Sequence, residues 1–162
     1  MRIRMVSVVG SGSTLAPAEQ TLAEALGAAL ASAGYGIVCG GLGGVMKAVA
    51  RGARTAPPPR PPIVGLLPGY DFASGNEYLD VVLPTGLGHA RNVLVAASGE
   101  AILCIGGATG ALSEVAIARK IGRPVLAFPA TGGTAAVAAK SLEQVIAVST
   151  PEEAVQRLRE IL

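Results

Sequence analysis

Ala101-Ile102-Leu103-Cys104-Ile105-Gly106-Gly107-Ala108-Thr109-Gly110-Ala111-Leu112-Ser113-Glu114 is the stretch that decides the fold. Ala101 to Ile105 is short, uncharged and apolar, which reads as a strand covered on both faces. The glycine cluster from Gly106 to Gly110 reads as a tight turn, and Ala111 to about Ile121 as the helix it opens into. Strand, glycine turn and helix in that order form half of a parallel strand–helix–strand unit.

The same alternation runs outward in both directions. Toward the N-terminus, Met5 to Val9 is a strand ending in Gly10-Ser11-Gly12-Ser13, and Pro17 to Ala33 is a helix stopped by Gly34. Gly36 to Cys39 is a second strand, followed by Gly40-Gly41-Leu42-Gly43-Gly44 and a helix from Val45 to Ala53. The run Pro57-Pro58-Pro59-Arg60-Pro61-Pro62 reads as a stiff surface spacer. Ile63 to Leu67 and Leu79 to Leu83 are strands, and Gly88 to Ser98 is a helix. Toward the C-terminus, Pro124 to Phe128 is a strand, Val145 to Val148 a shorter one, and Pro151-Glu152-Glu153 opens the last helix. No element is assigned between Phe128 and Val145. The expected architecture is a Rossmann-like, doubly wound sheet of about six or seven mostly parallel strands, with helices on both faces and one domain over residues 1–162.

Composition narrows the function classes. Of 162 residues, 51% are hydrophobic, only 3% aromatic and 15% charged, with a net charge of +2. That charge is too small to argue for nucleic acid or a membrane surface as partner. Residues 25–46 carry no charge, but their seven glycines make strand plus turn the reading and not a membrane span. The short apolar run after Arg2 and Arg4 is too brief for a signal segment, and Cys39 and Cys104 read as buried free thiols at strand ends. A cytoplasmic protein is expected.

Chemistry is expected where glycine turns follow strands. Gly10 to Ser13, Gly40 to Gly44 and Gly106 to Gly110 all fall at strand C-termini before helices, so each can turn backbone N–H groups and a positive dipole end toward an anion. None ends in the Gly-Lys-Ser/Thr of a nucleotide triphosphate loop, and Gly10-Ser11-Gly12-Ser13-Thr14-Leu15 does not complete a dinucleotide fingerprint. No cysteine, histidine and carboxylate spacing suggests a metal, and no lysine has a Schiff-base context.

Two segments carry a family resemblance. Val38-Cys39-Gly40-Gly41-Leu42-Gly43-Gly44-Val45-Met46 resembles the glycine-rich segment of the Lonely Guy (LOG) family, within the SLOG superfamily. Arg91 to Glu114 resembles that family's Arg-Lys helix followed by Pro-Gly-Gly-x-Gly-Thr-x-x-Glu. Similarity extends from Val8 to about Phe128. The resemblance implies a site that binds a phosphorylated, nucleotide-like molecule through Gly10, Ser11, Gly40, Gly41, Gly44, Met46, Gly107, Ala108, Thr109, Gly110 and Ala111. It further implies Arg91 and Glu114 as the catalytic pair of a nucleoside 5′-monophosphate phosphoribohydrolase, which releases base and ribose 5-phosphate without a cofactor. A short subgroup of these proteins includes molybdenum-cofactor carriers, which implies the alternative of a non-catalytic carrier or sensor. In this chain Gly106 stands for the signature proline, Ala108 for a glycine, Ala111 for the threonine and Asn92 for the lysine. The resemblance also implies a homodimer or larger homo-oligomer, which suits a small domain this apolar with Ala-rich helices such as Val93 to Ala97 and Val115 to Ala118.

Overall fold

The computed structural model describes residues 2–162. Seven parallel strands form one sheet: β1 (Met5–Gly10), β2 (Gly36–Cys39), β3 (Ile63–Leu67), β4 (Val81–Pro84), β5 (Ile102–Ile105), β6 (Val125–Phe128) and β7 (Val145–Ala147). They lie in the order β4-β3-β2-β1-β5-β6-β7. The chain winds outward from β1 to β4 and then returns to β1's other side, pairing Gly10 with Ile105. The C-terminal ends of β1 and β5 therefore flank the switch in strand order, the place where open sheets of this kind receive ligands.

Alternation along each strand distributes the apolar side chains between two cores. Val6, Val8, Ile37, Cys39, Leu103, Ile105, Leu126 and Phe128 face one core. It is closed by α1 (Pro17–Ser32), α2 (Val45–Ala53) and α6 (Pro151–Ile161). Val9, Val38, Ile102, Cys104, Val125 and Ala127 face the other, under α3 (Asn92–Ser98), α4 (Thr109–Lys120) and α5 (Gly133–Ser141). A sheet covered on both sides needs apolar residues at nearly every position, which is why the strands show no polar alternation. The two thiols are buried and free, one in each core. Burial raises Cys39 to about 11 and Cys104 to about 12, so both are neutral.

Four features depart from the sequence expectation, the first being β4, which begins at Val81 and not at Leu79. The segment predicted as one helix from Gly88 begins as a 3-10 turn (Gly88–Arg91) and becomes α-helical only at Asn92. Helix α4 starts at Thr109, two residues early, with Ala108 as its N-cap. Helix α5 occupies residues to which no element was assigned. The proline run behaves as a spacer, anchored where Arg60 donates to both carboxylate oxygens of Asp80 at 2.6 and 2.8 Å. Among the described residues, no helix is long and apolar enough to cross a membrane.

Candidate functional site

An open cleft of about 160 Å³ lies over the ends of β1 and β5. Its walls include Gly10 at the end of β1, Gly12 after it, Gly40 after β2, Met46 from α2, His89, Arg91 and Asn92 ahead of and at the start of α3, and Gly110, Ala111 and Glu114 from α4. Helix α4 has no side-chain cap at Ala108, and the first bond into the helix runs from Leu112 N–H to Ala108 C=O. The N–H groups of Thr109, Gly110 and Ala111 thus belong to the uncapped first turn, where the helix dipole favours negative charge.

Two charged side chains form the cleft's floor. Arg91 is 8% exposed and Glu114 7%. Arg91 Nη1 stands 3.7 Å from Glu114 Oε1, an ionic contact too long for a good hydrogen bond. Arg91 Nε is buried with no hydrogen-bond partner. The guanidinium can lie there because position 40 has no side chain: a Cβ on Gly40 would collide with Arg91 Nη1 and approach Met46 Sδ to 2.7 Å. Burial raises Glu114 to about 7 even though Arg91 opposes the shift. Burial likewise lowers Arg91, with Glu114 acting in the opposite sense. The floor therefore carries a fixed cation beside a carboxyl that burial biases toward its neutral form, a combination that suits an anion better than a cation. Among the described residues no group of three or more His, Cys, Asp or Glu could hold a metal ion.

The sequence profile of the SLOG cluster4 family matches residues 3–155. The chain belongs to the SLOG cluster4 family. An uncharacterised protein of Archaeoglobus fulgidus is 34% identical over 157 residues, covering 96% of this chain and 94% of that one. Among solved structures, the molybdenum cofactor binding protein of Rippkaea orientalis superposes with a TM-score of 0.87 at 30% identity, covering 99% of this chain and 98% of that chain. The molybdenum cofactor carrier protein of Chlamydomonas reinhardtii does so with a TM-score of 0.82 at 26% identity, covering 98% of each.

In this SLOG cluster4 chain the cleft gathers Gly10, Gly40, Met46, Arg91, Gly110, Ala111 and Glu114 from the expected set. Glu114 lies in the second turn of α4 and is buried. Arg91 is likewise buried. The other expected residues surround the cleft without lining it. Ser11 C=O accepts from Val45 N–H at 2.8 Å and its Oγ accepts from Ser13 N–H at 3.1 Å, which folds the first turn. Gly44 lines a neighbouring cleft. Gly41 points away from the cleft, where a Cβ would press on Leu67. Gly107, Ala108 and Thr109 form the turn behind and into α4.

The sequence reading missed what holds that turn. Thr134 N–H donates to Gly107 C=O at 2.9 Å, Thr134 Oγ1 to Ala108 C=O at 2.8 Å, and Ala135 N–H to Gly106 C=O at 3.0 Å. Gly106 N–H donates to Thr131 Oγ1 at 2.7 Å, and that hydroxyl donates to Phe128 C=O at 2.6 Å. All three carbonyls of the turn thus face the start of α5. In a trans peptide the C=O and the following N–H point in opposite directions, so the N–H groups of Gly107, Ala108 and Thr109 are turned away from α5. Only the Ala-rich run after Gly132-Gly133 hinted at this helix, and the two glycines counted against it. On the other wall, Asn92 Nδ2 donates to Ser113 Oγ at 2.9 Å, and Ser113 Oγ donates to Gly110 C=O at 2.7 Å. Asn92 thus braces the first turn of α4 from the opposite side.

Proposed function

We propose that this protein binds a phosphorylated heterocyclic ligand, molybdenum cofactor being the best-supported candidate, and acts as its carrier. The observation that carries the reading is Arg91. A buried guanidinium whose Nε has no protein partner, at the floor of a cleft beside an uncapped helix N-terminus, fits a ligand phosphate held by charge-assisted bonds and backbone N–H groups. Two solved relatives that cover nearly the whole chain are named for binding or carrying molybdenum cofactor, and this supports the ligand class. In this reading Thr109, Gly110 and Ala111 cradle the phosphate, Arg91 neutralises it, and Glu114 is the polar wall beside the ring that follows the phosphate.

Hydrolysis of nucleoside monophosphates is the second reading, and the retained Arg91–Glu114 pair favours it. A carboxylate there could stabilise positive charge developing on a ribose. Two features weigh toward binding: Ala111 lacks the hydroxyl of the LOG signature, and the named relatives are binders. The test is to mix the protein with molybdenum cofactor, pass it over a desalting column and measure molybdenum and pterin in the protein fraction. Near-stoichiometric, intact cofactor supports the carrier; cofactor left in the small-molecule fraction, with base released from AMP or a related monophosphate, supports the hydrolase instead.

A further inference from the structure

Next to the first cleft lies a second, of about 340 Å³, between the turn after β1 and the outer face of α2. Gly12 lines both. Lys47 and Arg51, one turn apart on α2, supply its cationic wall, and Ser13 and Thr14 supply hydroxyls opposite. No carboxylate lines it. Glu77 meets Lys47 Nζ at 2.9 Å and Glu24 meets Arg51 Nη1 at 3.4 Å, both from outside the lining, so each cation is steadied by one acid and keeps other donors free.

Gly12 supplies an independent sign. Its φ is not in the left-handed region, and a Cβ there would touch only Met46 Cε, at an ordinary 3.5 Å. The fold therefore does not require glycine at position 12, whereas a molecule crossing from one cleft to the other would. Size points the same way. The first cleft is smaller than the ~300–1,000 Å³ that small-molecule sites usually offer, so a nucleotide-sized ligand anchored there must extend beyond it.

We propose that the second cleft is a subsite for a second phosphate, so that for a given heterocycle a pyrophosphate-bearing ligand, a nucleoside diphosphate or one extended through a diphosphate bridge, binds more tightly than its monophosphate. The proposal rests on the phosphate site described above and deepens it. The first phosphate lies in the cleft of Arg91, and the extension crosses Gly12 to reach Lys47 and Arg51.

The test is calorimetric titration with GMP and GDP in metal-free buffer, against the parent and the Lys47→Ala/Arg51→Ala double variant. Both side chains are about half exposed, so the variant keeps the fold, which circular dichroism checks. The parent should bind GDP roughly tenfold or more tightly than GMP. The double variant should bind the two alike, at the parent's GMP affinity. Equal affinities in the parent, or a GDP preference that survives in the variant, would overturn the subsite and leave the first phosphate site standing. A parent that binds neither nucleotide overturns the subsite and nucleotide binding together.

Discussion

Arg91 and Glu114, 23 positions apart in sequence, meet at 3.7 Å on the floor of the cleft, and both are more than nine-tenths buried. Two charges removed from water at that spacing do not recover their hydration through one loose contact. The folded protein carries that strain in the raised Glu114 carboxyl, and the first prediction follows from it.

Glu114 ionises near 4.5 in the unfolded chain and at about 7 in the folded one. The folded state thus favours the protonated form. Its stabilising effect is full below about 4.5 and is lost as pH rises toward and through 7. Denaturant titration of the parent should show stability falling by on the order of 2–3 kcal/mol between pH 5 and pH 8 relative to Glu114→Gln, which cannot ionise. Parallel stability profiles for parent and variant would refute the burial argument.

Gly110 separates binding from folding. No atom lies within 4 Å of a Cβ built there, and its φ is ordinary, so Gly110→Val should fold with a stability close to the parent's. The new side chain would stand in the cleft between phosphate and backbone. Retention of molybdenum cofactor should drop at least about 100-fold, a loss of about 3 kcal/mol in affinity. Retention within twofold of the parent would place the phosphate elsewhere.

Thr134 tests whether α5 aims the cradle. Thr134→Val preserves shape but removes the bond to Ala108 C=O, at about 1 kcal/mol of stability. Affinity for the cofactor should fall about tenfold in Thr134→Val and be kept in Thr134→Ser, which retains the hydroxyl. If the two variants bind alike, the hydroxyl does not position the turn.

Val93, Leu94 and Leu112 are 49%, 38% and 39% exposed on α3 and α4, which pack against each other. This apolar surface suits contact with a second copy. Light scattering at micromolar concentration should give a dimer or larger assembly, and Leu94→Glu with Leu112→Glu should reduce it. A monomeric parent would contradict this.

Most of the fold was legible because its signals are local. Met5–Gly10, Gly36–Cys39 and Ile63–Leu67 are apolar runs bounded by glycine or proline, and their positions match the sequence reading within one residue. Helix α5 was not legible. It follows Pro129 and opens at Gly132 and Gly133, both at positive φ, residues that count against a helix until the bonds from Thr134 and Ala135 N–H to Gly107 and Gly106 C=O are seen. The same reason hid Thr131 and Thr134, whose role is tertiary and leaves no spacing in the sequence. Arg91 and Glu114 could be named from the family pattern, but their burial and the unpartnered Arg91 Nε depend on Gly40 making room. Lys47 and Arg51 fall four apart on a helix that the sequence showed, but the cleft that they share with Ser13 and Thr14 beside Gly12 left no motif.

The central claim is that ligand phosphate rests on the first turn of α4 beside Arg91. Backbone amide NMR during titration with inorganic phosphate tests it residue by residue. The amides of Thr109, Gly110 and Ala111 should shift strongly and saturably in the parent, those of α6 should not move, and Arg91→Ala should weaken the response at least about tenfold. Amides of Thr109, Gly110 and Ala111 that stay unmoved while others respond, or a response unchanged in Arg91→Ala, would contradict the account.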